Sequence, residues 1–136
     1  METAAWFGGR DVGLVVAAGW LWLLGPTFLG AFHGRIVNVH PTLLPAFPGR
    51  HSVERAVAHG VRVHGVTAHR IDEGIDTGPI LAQAVLRIED DPDAAEVRRR
   101  LAPVECRVLT DVVRAIAVDA RGVTQRERPS RECGLP

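Results

Sequence analysis

From Val12 to Phe32 the chain carries no charged side chain, and this stretch limits what it can fold into. It is long enough to cross a bilayer, so it must either do so or be packed inside a fold. Gly13, Gly19, Gly25-Pro26 and Gly30 interrupt it. Glycine weakens any regular element and proline lacks the N–H that a continuing helix needs, although both occur in membrane spans. The stretch therefore reads as a buried strand from Leu14 to Ala18, a loop from Gly19 to Leu24, and a short helix opening at Pro26, where a missing N–H costs nothing. Glu2, with no basic residue at the start and no clean small-x-small site after it, does not suit a secretory signal. No membrane association is expected.

The 136 residues suffice for one domain with a core but are short for a two-half nucleotide-binding fold. Acidic and basic side chains balance at 16 each, which leaves no net field to draw the chain to nucleic acid, and the expected partners are small molecules. All the basic residues are arginine; without lysine, Schiff-base chemistry, lysine-linked pyridoxal phosphate and a Walker-type phosphate loop are excluded. Cys106 and Cys133 are too few for a disulfide framework and show no CxxC spacing, which suits a reducing, cytoplasmic setting.

Ile36-Val37-Asn38-Val39-His40 is a β-branched run stopped by Pro41, read as a buried parallel strand that delivers polar side chains at its carboxyl end. Pro41 to Gly49 is a loop. Ser52 is placed to cap a helix running to about His59 and stopped by Gly60. Val61 to Ile71 alternates, with Gly65, Thr67 and His69 on one face and His64, Val66 and Ala68 on the other. The acidic, glycine-rich turn Asp72 to Gly78 leads into a strand from Ile80 to Ile88, so the two strands read as a hairpin with a functional loop. Asp91-Pro92-Asp93 starts a helix on which Val97, Leu101, Val104, Val108, Val112 and Ala115 recur along one side, and Pro103 is expected to kink or divide it. The apolar pattern then fades, which sets a domain at residues 1–118 and a polar, loosely ordered tail at 119–136.

Asn38, the only asparagine in the chain, and His40 stand at the end of one predicted strand, and Asp76 in the turn after another. An amide donor, an imidazole and a carboxylate so placed can stabilise and deprotonate a tetrahedral intermediate. Taken singly, each has a plainer reading: an asparagine satisfying loop backbone, a structural histidine, an aspartate closing a turn. The histidines all fall between His33 and His69 but show neither HExxH nor a close Cys/His spacing, so no metal is expected. Arg98-Arg99-Arg100 has Asp90, Asp91, Asp93 and Glu96 beside it and reads as a solvated helix face rather than a nucleic-acid patch.

The run Asn38-Val39-His40-Pro41-Thr42-Leu43-Leu44-Pro45-Ala46-Phe47-Pro48-Gly49, followed by His51, His69 and Asp76-Thr77-Gly78-Pro79-Ile80, closely resembles the glycinamide ribonucleotide formyltransferases of purine synthesis, over about Val12 to Ala117. Several motifs agreeing in order and spacing are far more specific than a lone Asn-x-His. Phe47-Pro48-Gly49 and His51 side with that branch, whereas transfer-RNA formyltransferases tend to carry Arg-Gly-Ala there and formyltetrahydrofolate hydrolases a histidine in place of Pro41.

The resemblance implies an α/β, Rossmann-like fold with a mainly parallel sheet and flanking helices. It implies transfer of a formyl group from 10-formyltetrahydrofolate, a cosubstrate, to the amine of glycinamide ribonucleotide without a metal. Asn38 and protonated His40 would hold the oxyanion, and Asp76 would raise the His40 pKa and relay the amine proton through an ordered water. Gly49, His51 and His69 would support them. The pterin of the reduced folate would be held by Leu21, Trp22, Leu23, Leu24 and Asn38 on one side and by Asp72, Glu73, Gly74, Ile75 and Asp76 on the other, and Glu105 would contact the ribonucleotide. Two departures bear on these sites: Trp22 stands where similar enzymes have arginine, and Ala102-Pro103-Val104 replaces a polar sequence before Glu105.

The family's fold opens with a mononucleotide-binding βαβ unit that receives the substrate phosphate, and residues 1–11 do not supply one. The expectation is a catalytic and folate-binding half whose amino-terminal, nucleotide-binding half is missing, with a sheet edge open to self-association or to a separate amino-terminal half. Two other functions stay open. One is a hydrolase releasing formate from formyltetrahydrofolate, with water in place of the amine; the other is a non-catalytic folate-binding or assembly module.

Overall fold

A computed structural model describes residue 7 and residues 9–20, 23–88 and 91–126, with backbone only over 121–126. Its strands are β1 (Val15–Val16), β2 (Ile36–His40), β3 (Val63–Arg70) and β4 (Ile80–Arg87), joined in one sheet in the order β1-β2-β3-β4. The described helices longer than a single turn are α1 (Pro26–Ala31), α2 (Ser52–Ala58) and α3 (Ala94–Arg126). The uncharged stretch folds as its glycines and proline dictate, into strand, loop and a helix with Pro26 in its first turn. No described helix is long and apolar enough to cross a membrane.

Alternation along β2 sets the layers, because successive side chains point to opposite faces. Ile36 joins Ala17, Phe28 and Phe32 in the cluster beneath α1, where the two phenylalanine rings lie 4.9 Å apart. Val37 points the other way, into the main core with Val53 of α2, Val66 and Ala68 of β3, and Val97, Leu101, Val108 and Val112 of α3. Each such buried side chain contributes about 1.5–3 kcal/mol, which fixes α3 across that face. Asn38 and His40 share the face of Ile36, away from α3, and the pairing of Asn38 with His69 and of His40 with Thr67 puts all four on one side.

Four expectations need correction. The α/β class holds, but only β1 and β2 are parallel; β2–β3 and β3–β4 are antiparallel, so the sheet in this chain is mixed rather than mainly parallel. Ser52 does not cap α2: it is the buried first residue of the helix, and His51 takes the cap position at φ 53 without a side-chain hydrogen bond. Pro103 does not divide α3, because Val97 and Leu101 before it and Val108 and Val112 after it anchor both sides to the same sheet. The helix runs on through Arg126 rather than fading at 119, and its stripe continues at Ile116, since Ala115 is exposed. Residues 127–136 of the expected tail lie outside the described residues.

Candidate active site

The turn after β3 carries Asp76 back over the polar face of the sheet. The return is tight: a Cβ on Gly78 would lie 1.9 Å from the Arg70 carbonyl oxygen, and the Arg70 N–H donates to the Pro79 carbonyl at 2.9 Å. Asp72 closes the turn, its Oδ1 accepting from the Gly74 N–H at 3.0 Å and from the Thr77 hydroxyl at 2.7 Å. Asp76 itself sits in the left-handed region at φ 54, which aspartate tolerates better than most residues.

The Asp76 carboxylate is the centre of the contacts. Its Oδ2 accepts from the Gly49 N–H at 2.7 Å and lies 3.3 Å from His40 Nδ1. Its Oδ1 lies 3.5 Å from His69 Nε2, within Coulombic reach but without a hydrogen bond. His40 Nε2 is 3.0 Å from the Phe47 carbonyl and His69 Nδ1 is 2.9 Å from the Arg70 carbonyl. Each ring thus stands between two groups that can only accept, a carbonyl at one nitrogen and the Asp76 carboxylate facing the other, so a neutral ring, with its one hydrogen, can satisfy only one of them.

Burial pushes His40 below the usual histidine range; the Phe47 carbonyl and then Asp76 pull it up, and His69 and Arg55 push it down again. The net direction is down. Asp76 pulls the His40 pKa up, as the resemblance implied, but removing the charged ring from water outweighs that pull. At neutral pH the resting ring is largely neutral.

Asn38, beside His40 on β2, is half-buried, and among the described residues its carboxamide has no hydrogen-bond partner. A cleft of about 210 Å³ opens next to Asp76, lined by Leu44, Pro45, Pro48, Ile75, Thr77 and Ile80. The site thus combines an accessible amide donor, an imidazole able to take a second proton, and a carboxylate that can accept one.

Residues 7–113 match the protein family described as formyl transferase. The chain belongs to the formyl transferase family. It is 50% identical over 111 residues to a phosphoribosylglycinamide formyltransferase of Mycobacterium tuberculosis, in an alignment covering 82% of this chain and 51% of that protein. Its structure is similar to the crystal structure of phosphoribosylglycinamide formyltransferase from Bacillus halodurans, with a TM-score of 0.80 at 43% identity, covering 85% of this chain and 60% of that one. It is also similar to a formyltetrahydrofolate deformylase from Pseudomonas syringae, with a TM-score of 0.79 at 29% identity, covering 85% of this chain and 39% of that one. The chain spans about half the length of the relatives it matches.

Within this formyl transferase chain the structure brings Asn38, His40, His69, Gly49 and Asp76 to one place, and Gly49 acts there through its backbone N–H. His51 stands exposed at the start of α2, with no hydrogen bond to the cluster. Leu23 is exposed and Leu24 packs against the phenylalanine cluster, while Leu21 and Trp22 lie outside the described residues. Glu73, Gly74 and Ile75 are exposed, but the Asp72 carboxylate is engaged in closing the turn. Glu105 sits on α3, across the sheet from His40, and no hydrogen bond or ion pair joins it to the cluster. Burial raises its carboxyl pKa, with Arg98 pulling the other way. Among the described residues there is no group of three or more His, Cys, Asp or Glu that could hold a metal ion. The sequence reading missed the Phe47 carbonyl, Thr67 and Gln83; the one available signal was the alternation that puts Thr67 on the face of His69.

Proposed function

We propose that this chain carries the formyl-transferring centre of a phosphoribosylglycinamide formyltransferase, moving the formyl group of 10-formyltetrahydrofolate to the amine of glycinamide ribonucleotide. The observation that carries this reading is the Asp76 carboxylate held between His40 and the Gly49 N–H, over the same sheet face as the unpaired carboxamide of Asn38. The similarity to the Mycobacterium tuberculosis and Bacillus halodurans enzymes supports the choice of substrates.

In this mechanism the neutral amine attacks the formyl carbon, a C–N bond forms, and negative charge gathers on the formyl oxygen. Asn38 donates to that oxygen. Asp76 takes the proton from the new ammonium through a water, and the proton passes to N10 of the folate as its bond to the formyl carbon breaks. The developing anion offsets the burial penalty on His40, so the proton shed by the amine can rest on His40 as well as on Asp76 before N10 receives it, and no other proton is needed. We place the grip on the ribonucleotide phosphate in the part of the relatives that this chain does not span, supplied by the same polypeptide or by a separate one pairing along β1. Asp72, Glu73, Gly74 and Ile75, with Leu21 to Leu24, remain the proposed pterin walls, and Glu105 the proposed ribonucleotide contact.

The test is formyl transfer from 10-formyltetrahydrofolate with and without glycinamide ribonucleotide. Transfer that requires the ribonucleotide and is lost in Asp76→Ala supports the proposal. Formate release that ignores the ribonucleotide would instead assign a deformylase, the reading favoured by the similarity to the Pseudomonas syringae enzyme. Folate binding with neither reaction would make the chain a binding module.

A further inference from the structure

Two of the backbone groups that touch the site come from one loop, residues 41–51: the Phe47 carbonyl on His40 and the Gly49 N–H on Asp76. The loop is not a relaxed one. Phe47 and His51 both sit at φ 53 and Gly49 at φ 78, and non-glycine residues hold such backbone only where their surroundings enforce it.

The enforcing contacts lie beneath the loop. Thr67 on β3, fully buried, donates its hydroxyl to the Thr42 carbonyl at 2.7 Å and accepts from the Leu44 N–H at 3.0 Å. Its second lone pair is filled by Gln83 Nε2 at 2.9 Å, from the directly opposed position on β4. The same Gln83 nitrogen donates to the Leu44 carbonyl at 2.9 Å. The carbonyls of Thr42 and Leu44 can only accept, so the Thr67 hydroxyl proton is directed at the Thr42 carbonyl and the glutamine must present its NH₂. Every bonding position of the Thr67 hydroxyl is then used. Beside this network Leu43 packs down over Gly65, where a Cβ would come within 2.5 Å of Leu43 Cδ2.

We propose that Gln83 is a positioning residue for the His40–Asp76 pair, acting through Thr67 and the loop they pin. It touches neither reacting group. Its effect on turnover rests on the formyl-transfer reading; its effect on the site does not.

The experiment follows the His40 imidazole by proton NMR titration of the whole chain, the resonance being assigned by its loss in His40→Gln. Gln83→Glu keeps the shape of the side chain but offers oxygens to two groups already committed as acceptors. The expected result is a displaced His40 titration, because the loop both buries the ring and brings the Phe47 carbonyl to it, so loosening it changes the two largest influences together. Thr67→Val, which adds no charge, is expected to displace it likewise, and Thr67→Ser, which keeps the hydroxyl, to give a native titration. In formyl transfer, kcat is expected to fall about 10–100-fold with KM little changed.

Gln83 is on the outer strand and largely exposed, so its variant is expected to stay folded. A native His40 titration in both Gln83→Glu and Thr67→Val overturns the proposal, as does an equal shift in Thr67→Ser. The expected shifts in a chain whose wild type transfers no formyl group would uphold the positioning role and overturn the formyl-transfer reading.

Discussion

Replacing Asp76 by asparagine should separate stability from catalysis. The asparagine oxygen can still accept from the Gly49 N–H, now 2.7 Å from the carboxylate. What is lost is the charge assistance in that bond: about 1.5–3 kcal/mol for a bond to a charged group against about 0.5–1.5 for a neutral one. The new side chain offers both an NH₂ and an oxygen to His69 Nε2, a buried nitrogen 3.5 Å from Oδ1 with no hydrogen-bond partner. A bond formed there returns about 1 kcal/mol. Asparagine also tolerates the φ of 54, so no backbone strain is added. The two changes nearly cancel, and Asp76→Asn should unfold in urea within about 1 kcal/mol of wild type at neutral pH. Asp76→Ala leaves the Gly49 N–H without its charged partner, and should be less stable by about 1.5–3 kcal/mol. Turnover should respond differently, falling about 10²–10⁴-fold in Asp76→Asn because the proton acceptor is gone. The measurements are equilibrium urea unfolding followed by tryptophan fluorescence and a formyl-transfer assay on the same preparations. A loss of several kcal/mol in Asp76→Asn would refute the reasoning, since it would mean that the resting histidines are charged and paired with the carboxylate.

Burial holds both His40 and His64 below the ordinary histidine value of about 6.5, so the unfolded chain binds protons more readily than the folded one. Stability should be fully present above about pH 6.5 and decline as pH falls through the folded-state values, which the urea midpoint across pH will read; a midpoint that rises on acidification would contradict the assignment. Gly78→Ala would drive a Cβ into the Arg70 carbonyl, 1.9 Å away, and should cost about 1–3 kcal/mol while lowering turnover, because the same turn carries Asp76. Asn38→Ala breaks no hydrogen bond among the described residues, so it should leave the unfolding midpoint near wild type and lower kcat about 10²–10³-fold; a variant with full activity would remove Asn38 from the oxyanion role.

What could be read in advance depended on whether the cause was local. Pro26 and Gly60 marked their helix ends because a missing N–H and a left-handed φ of 79 are properties of single residues. Asn38, His40 and Asp76 could be grouped because strand period and turn chemistry are also local. The antiparallel β3–β4 hairpin was legible from its turn, but whether β2 meets β3 parallel or antiparallel depends on where residues 41–62 lead the chain, and no residue there encodes it alone. Pro103 leaves α3 undivided because its penalty is local while the anchoring by Leu101 and Val108 is tertiary. Gly49 was named through the resemblance, but the Phe47 carbonyl could not be found, since backbone groups are the same at every position. Gln83 was invisible because its role exists only through a cross-strand register with Thr67.

The count of protons in the cluster bears on how such a site would work. His40 and His69 each stand between a carbonyl and the Asp76 carboxylate, 3.3 and 3.5 Å away, groups that can only accept. While the rings are neutral the cluster therefore has more acceptors than ring hydrogens, and the Gly49 N–H donates to Asp76. Unmatched acceptors in a buried place are unfavourable, and one added proton relieves them whichever of the three side chains receives it. An amine that attacks a formyl carbon must shed a proton, and it does so when negative charge on the formyl oxygen makes a charged His40 less costly. The proton and the anion arise in the same step, so the stabilisation they find here is larger in the transition state than in the resting site, which is the condition for acceleration rather than mere binding. On this argument the lowered His40 pKa is an asset to the reaction: a ring already protonated at rest would have filled the place the reaction needs to fill.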